Sequence, residues 1–276
     1  MLGVVPRAVP LTESATWWPS TAFQTTTLEL RRSSERLLVD PGVSPWEIEE
    51  VVEASSDPVT QVLVTHADWD HVMALGMLPA ARVTASTGAG ERIRSGQAKA
   101  SIEKEAVEAY VPYRELDHLH CEHDVDPPAD VQLGPWSGTC RAGRGHTDDG
   151  LITWLPDERV LVVGDYLSEL EIPFAYSSVA DYRATLHTLI GVIERERPAF
   201  VVVGHGHPHT AERALEIADE DLDYIDGILA FAEAGCPPDQ ASRIAVPFRG
   251  GGPYDRQAHT ANVKLACEAA GAPVPA

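Results

Sequence analysis

The sequence predicts an α/β protein in which two sheets pack face to face with helices outside, a four-layer αββα sandwich. Three observations carry this. Strand-like apolar runs fall in two groups, one up to about residue 85 and one from 131 to 203, each with helices interspersed or at its end. No short-period repeat interrupts that order, and hydrophobic residues make up 44% of the 276 residues, enough to bury a real core. Polar residues of the metal-binding type recur just past strand-like runs, where loops carry function. The chain reads as one domain over residues 1–276, with a lid-like insertion at about 87–128 and a helical tail after about 237.

In chain order, residues 1–22 read as an irregular arm broken by Pro6, Pro10 and Pro19. Thr25 to Leu30 predicts a strand, and Leu37-Leu38-Val39 runs into the turn Asp40-Pro41-Gly42. Pro45 to Ala54 is helix-like, with proline near its start. Gln61 to Thr65 is a strand, Val72 to Leu78 begins a helix, and Arg82 to Ala85 is a short strand. Residues 87–128 are charge-rich, with helical spacing from Ile102 to Tyr110, and read as a solvated lid that includes His118, His120, Cys121 and His123. Strands follow at Val131–Leu133, Thr139–Ala142, Leu151–Leu155 and Arg159–Val163, the last two forming a hairpin around Pro156-Asp157-Glu158. Val179 to Glu196 predicts a helix from Leu186, Leu189, Ile190 and Ile193. Phe200 to Val203 is a buried strand, Glu212 to Ala232 a long helix, Gly250 to Gly252 a loop, and Gln257 to Ala270 a final helix.

The formal net charge is −21, from 21 basic and 42 acidic residues, so a phosphate backbone is a poor partner and nucleic acid is not expected. A small anion stays compatible, because a bound metal inverts the local field. No apolar run approaches the roughly 20 residues of a membrane span, and no signal-peptide core stands at the N-terminus. Four scattered cysteines, Cys121, Cys140, Cys236 and Cys267, suggest reduced thiols and a cytoplasmic location. The expected partner is a small molecule; association into a homo-oligomer is left open.

The densest chemistry is Thr65-His66-Ala67-Asp68-Trp69-Asp70-His71, between an apolar strand and an apolar helix-like run. Two imidazoles and two carboxylates crowded at such a junction repel one another unless a cation holds them, and the mixture suits zinc, iron or manganese. The bland alternative is a polar turn in which Asp68 or Asp70 caps the following helix. Four further strand ends carry comparable residues: Asp40, His146 in Gly145-His146-Thr147, Asp165 after Gly164, and His205 in Gly204-His205-Gly206. His207 and His209 compete with His205 for the last position. Five such loops argue for convergence on one edge of the sheet pair.

These residues resemble the metallo-β-lactamase superfamily of hydrolases, whose first cluster usually reads His-x-His-x-Asp-His, followed by a Gly-His-Thr turn, an Asp after an apolar strand and a late Gly-His-Gly. The resemblance covers about residues 25 to 210, with successive intervals of 75, 19 and 40 residues along His71, His146, Asp165 and His205. The chain departs from the pattern at Asp68, where the family usually has histidine. A harder, charged ligand there shifts preference from zinc toward manganese or iron, or weakens one site.

The resemblance implies a four-layer sandwich of the metallo-β-lactamase type and a divalent metal centre, two Zn2+ or else Mn2+ or Fe. It implies one site from His66, Asp68 and His146, a second from Asp70, His71 and His205, and Asp165 bridging them. Asp40 would orient a ligand from outside, and His207 would stand in the same outer layer. Such a centre holds a hydroxide that attacks a carbonyl carbon or a phosphorus. Asp70 is the candidate proton carrier, and Tyr166 a candidate hydrogen-bond partner for substrate. Trp69 and Ile172 to Tyr176 read as pocket edges, and Glu169 and Glu171 as solvated. The first expectation is a metal-dependent hydrolase of a small ester, thioester or lactone. A phosphodiesterase or nuclease, motivated by Asp68, and a metal-binding module without catalysis are the alternatives.

Overall fold

The computed structural model describes residues 8–237, 244–249 and 253–274. Seven strands form the first sheet in chain order: β1 (Val9–Pro10), β2 (Ala15–Pro19), β3 (Thr26–Arg32), β4 (Glu35–Val39), β5 (Val59–Leu63), β6 (Arg82–Ser86) and β7 (His123–Val125). It is antiparallel through β4 and parallel from β4 to β7. The second sheet has the order β12-β11-β10-β9-β8, built from β8 (Ala129–Leu133), β9 (Trp136–Ala142), β10 (Leu151–Leu155), β11 (Val160–Gly164) and β12 (Phe200–Val203). Only its β11–β12 pair is parallel.

Side-chain alternation explains why these strands read as continuous apolar runs. Leu37 and Val39 point into the layer between the sheets, with Leu63, Val160 and Val162, while Leu38, Val62, Leu161 and Val163 point outward. A strand covered on both faces needs apolar residues at every position. The outer face of the first sheet is covered by α1 (Pro45–Glu53), α2 (Trp69–Val72), α3 (Thr87–Arg94) and α4 (Gln97–Glu108). The outer face of the second is covered by α5 (Val179–Glu196), α6 (Ala211–Glu233) and α7 (Pro253–Ala269). Those are the four layers expected.

Four expectations need correction. The arm before residue 22 contains β1 and β2, because the Trp17 and Trp18 indoles reach polar partners, Thr26 and Glu29, on the neighbouring strand. The helix expected from Val72 to Leu78 is broken into the four-residue α2 and a 3-10 turn at Leu75–Met77. The charged segment 87–128 is built into the sandwich: β7 extends the first sheet, and Ala98, Ile102 and Ala106 bury one stripe of α4 at helical spacing. Finally, Cys236 and Cys267 form a disulfide, 31 residues apart, joining the region just after α6 to α7; Cys121 and Cys140 are free and buried. Such crosslinks persist in oxidising compartments, so the cysteines no longer argue for a cytoplasmic location. No helix among the described residues is long and apolar enough to cross a membrane. The triple glycine 250–252 lies outside the described residues.

A buried ion pair fastens the first sheet to α1. Arg36 and Glu29 are both fully buried, with Nε 2.5 Å from Oε1. Arg36 also donates to the carbonyls of Val51, Val52 and Asp57, which closes the C-terminal end of α1. Burial raises the Glu29 pKa, but Arg31, Trp18 and Arg36 outweigh it and hold the carboxylate below its ordinary value. Arg36→Met strands that charge and the carbonyls. Urea denaturation should show a loss of about 3–5 kcal/mol; a loss under about 1 kcal/mol would mean the pair is not needed.

Candidate metal centre

Each candidate side chain sits where a strand has just ended. Asp40 follows β4 at a positive φ of 48°, which turns its carboxylate back over the sheet edge. His66 follows β5, and Asp68 sits at the N-cap of α2, placing Asp70 and His71 in its first turn. His146 lies in the β9–β10 connection, Asp165 just after β11 and His205 just after β12. Glycine is required at two of these points. A Cβ at Gly204 would lie 1.9 Å from an Asp165 carboxylate oxygen, and one at Gly145 would lie 2.2 Å from the Tyr182 nitrogen. The glycine before His205 therefore lets backbone approach the cluster, and the one before His146 lets that turn pack against α5.

The donor atoms converge. His66, Asp68 and His146 form one group, and Asp70, His71 and His205 another, with ligand atoms in each within 4.8 Å of one another. Asp165 lies between them. Its Oδ1 is 3.2 Å from His71 Nε2, and its Oδ2 is 3.2 Å from His146 Nε2, 3.3 Å from His205 Nε2 and 3.6 Å from His66 Nε2. Asp68 Oδ2 is 3.5 Å from His146 Nε2, and Asp70 Oδ2 is 3.5 Å from His205 Nε2.

The opposite edge of every imidazole is tied down, and the partners fix the tautomer. His146 Nδ1 faces the Phe174 carbonyl at 2.7 Å, and His205 Nδ1 faces the Phe23 carbonyl at 3.1 Å. His71 Nδ1 lies 3.0 Å from Asp40 Oδ2. These oxygens only accept, so each Nδ1 must carry the proton. The Thr65 hydroxyl gives its single hydrogen to Asp40 at 2.6 Å, so toward His66 Nδ1, at 3.0 Å, it can only accept. All four Nε2 atoms therefore point inward at carboxylates. The Nε2 atoms of His66, His71 and His146 and the Oδ1 of Asp165 are buried without a hydrogen-bond partner among the described residues. Imidazole nitrogens and carboxylate oxygens crowded in a buried space cost free energy unless protons or a metal cation sit between them, and a set of four imidazoles and three carboxylates fits a divalent metal.

The electrostatics agree. Burial disfavours imidazolium at His71, His146 and His205, yet the surrounding carboxylates, chiefly Asp165, outweigh it and raise all three pKa values, that of His205 to about 10. His66 goes the other way, lowered by burial and by neighbouring His71. Asp165 is held well below the carboxylate range, the surrounding histidines overcoming its burial. The site attracts positive charge.

Several further residues escaped the sequence reading. Arg92 donates to Asp68 Oδ1 at 3.0 Å and to Asp149 at 2.8 Å, compensating the charge that aspartate brings to position 68. Thr25 donates to Asp70 at 2.9 Å. Nothing in a polar helical stretch distinguishes Arg92 by sequence. Glu171 is part-buried beside the cluster, and burial raises its pKa, so it is not the solvated group expected.

Two expected roles change. The Tyr166 hydroxyl is buried, accepts from the His146 amide at 3.0 Å and donates to the Arg144 carbonyl at 2.7 Å. It braces the His146 turn, with its hydrogen and an acceptor lone pair both engaged by backbone. His207 is largely exposed and pairs with Glu169 at 2.6 Å, so it stands outside the cluster. His209 is buried and bonds the Leu167 carbonyl. Trp69 meets Phe23 edge-on at 5.8 Å, and Tyr176 packs against His146 at 5.2 Å, giving the site aromatic borders.

A sequence profile of the metallo-beta-lactamase superfamily matches residues 20–225. None of the curated proteins matches the chain. Among solved structures, the B3 metallo-beta-lactamase BLEG-1 superposes with a TM-score of 0.59 at 18% identity, covering 73% of this chain and 96% of that one. A metallo-beta-lactamase family protein from Thermus thermophilus gives 0.64 at 17%, covering 92% and 94%. The stereoselective inverting sec-alkylsulfatase Pisa1 from Pseudomonas sp. gives 0.71 at 11%, covering 96% of this chain and 50% of that one.

Asp40 accepts from the Thr65 amide, the Thr65 hydroxyl and His71 Nδ1, and so fixes two ligand loops at once. Outer partners of this type typically contribute 10- to 100-fold in metal affinity. Asp40→Ala should weaken Zn2+ binding by roughly that factor in competition with a chromophoric chelator. Unchanged affinity would show that His71 needs no such support.

Proposed function

The chain belongs to the metallo-β-lactamase superfamily, and on that premise we propose that it is a metal-dependent hydrolase of a small carbonyl ester, thioester or lactone. The observation that carries the metal dependence is the convergence of four inward Nε2 atoms on the carboxylates of Asp68, Asp70 and Asp165 in a buried space, three of those nitrogens without a hydrogen-bond partner among the described residues. His66, Asp68 and His146 would hold one ion and Asp70, His71 and His205 a second, with Asp165 reaching both. Asp40, Asp68, Asp70 and Asp165 together bring four negative charges, which two divalent cations match. Asp68 as an oxygen ligand admits Mn2+ or Fe as well as Zn2+.

Divalent ions there supply Lewis acidity and acidify a water they hold. The chain's residues do the rest. Asp70, held by the Thr25 hydroxyl, would take a proton from the attacking water and return it to the leaving group. The water oxygen bonds to the carbonyl carbon, the C–O or C–S bond breaks, and the proton ends on the departing oxygen or sulfur. Tyr166 and the Phe174 carbonyl keep His146 in place throughout.

The surroundings favour a neutral, apolar substrate over a phosphodiester. Arg92, the cation touching the cluster, is already spent on Asp68 and Asp149. Phe23 and Tyr176, both about half exposed, border the site with Trp69. The net charge of −21 repels polyanions.

Metal-loaded protein should turn over members of a panel of acyl thioesters, aryl esters and lactones, but not bis(p-nitrophenyl) phosphate or a sec-alkyl sulfate. Asp165→Ala should reduce kcat/KM by about 100-fold or more. Turnover of the phosphate or sulfate instead, or none at all with both ions bound, would overturn the assignment.

A further inference from the structure

The C-terminal helix α7 lies beyond the superfamily-matched residues 20–225, yet it packs on the segment that braces His146. Its Asn262 is fully buried and reads the backbone of the segment that carries Phe174 and Tyr176. The amide oxygen accepts from the Ala175 N–H at 2.8 Å, and Nδ2 donates to the Pro173 carbonyl at 2.6 Å. That segment in turn supplies the Phe174 carbonyl to His146 Nδ1 and pairs the Tyr176 amide with the His146 carbonyl at 2.9 Å. The disulfide to Cys236 anchors the far end of α7. The helix is thus tied to His146 through one short chain of hydrogen bonds.

At the other end of α7, Tyr254 joins an aromatic cluster. Phe174 stacks on Tyr176 at 4.1 Å and meets Tyr254 edge-on at 5.6 Å. A hydrogen bond links the Tyr254 and Tyr176 hydroxyls. Phe174 is buried, whereas Tyr176 and Tyr254 remain 54% and 39% exposed. Tyr176 packs against His146 and Tyr254 extends the same aromatic cluster through Phe174, and both rings, still open to solvent, offer flat apolar surface beside the site. With no cationic side chain in that cluster among the described residues, the surface suits a neutral aryl group rather than a charged one.

We propose that α7 completes the substrate site, and that Tyr254, with Tyr176, binds an aryl substituent on the acyl side of the substrate next to His146. This rests on the hydrolase reading above, because it assumes that the acyl group sits at the cluster. A family-wide description would miss it, since Tyr254 and Asn262 fall outside the shared segment.

The test compares binding and turnover in zinc-loaded wild type, Tyr254→Ala and Tyr254→Phe, with circular dichroism to confirm folding. Calorimetry measures the affinity ratio of phenylacetate to acetate. A thiol assay measures the kcat/KM ratio for phenylacetyl and acetyl thioesters of N-acetylcysteamine. Wild type should favour the phenyl compounds, Tyr254→Ala should cut both ratios by about threefold or more, and Tyr254→Phe, which keeps the ring, should retain them. A wild type without phenyl preference, or an alanine variant with unaltered ratios, would overturn the proposal. If the affinity ratio behaves as expected but no thioester is cleaved, the aromatic wall stands and the hydrolase reading falls.

Discussion

Buried lone pairs that face one another set the terms for this molecule. Four imidazole nitrogens and the oxygens of Asp68, Asp70 and Asp165 share one small space at the sheet edges, and the Nδ1 contacts prevent the rings from turning away. Protons can relieve the repulsion only in part, as the opposed pKa directions of His66 and its neighbours show. Divalent cations relieve it fully, and metal binding would then also stabilise the fold. The two sheets exist, in this sense, to bring five separate strand ends to one place.

Much of the fold could be read from the chain because doubly covered strands announce themselves as apolar runs such as Val160–Val163 and Phe200–Val203. The approach of His66, His146, Asp165 and His205 could be read for a related reason: each directly follows such a run or a glycine turn. What stayed hidden depends on tertiary contact. Ala98, Ile102 and Ala106 form too thin an apolar stripe to reveal, amid charges, that α4 is part of the core. In one dimension Tyr166 reads as a substrate contact and His207 as an outer-layer group. Packing turned the first into a brace beneath His146 and left the second on the surface beside Glu169. Likewise no spacing rule pairs Cys236 with Cys267; the pairing follows from where α7 docks.

Position 68 shows how a local departure is absorbed. Aspartate in place of histidine adds a negative charge to a crowded centre, and Arg92, reaching over from α3, neutralises it while also holding Asp149. One carboxylate oxygen is thereby occupied and the other left toward His66 and His146. The segment that looked like a detachable insertion thus supplies an electrostatic partner to the centre as well as a strand to the sheet.

Anomalous diffraction from crystals of the metal-loaded protein, collected at the absorption edge of the ion, bears most directly on this account. Two peaks are predicted, one enclosed by His66, Asp68 and His146 and one by Asp70, His71 and His205, with Asp165 touching both. Metal found at other residues, or a fully loaded crystal with no peak among these seven side chains, would contradict it.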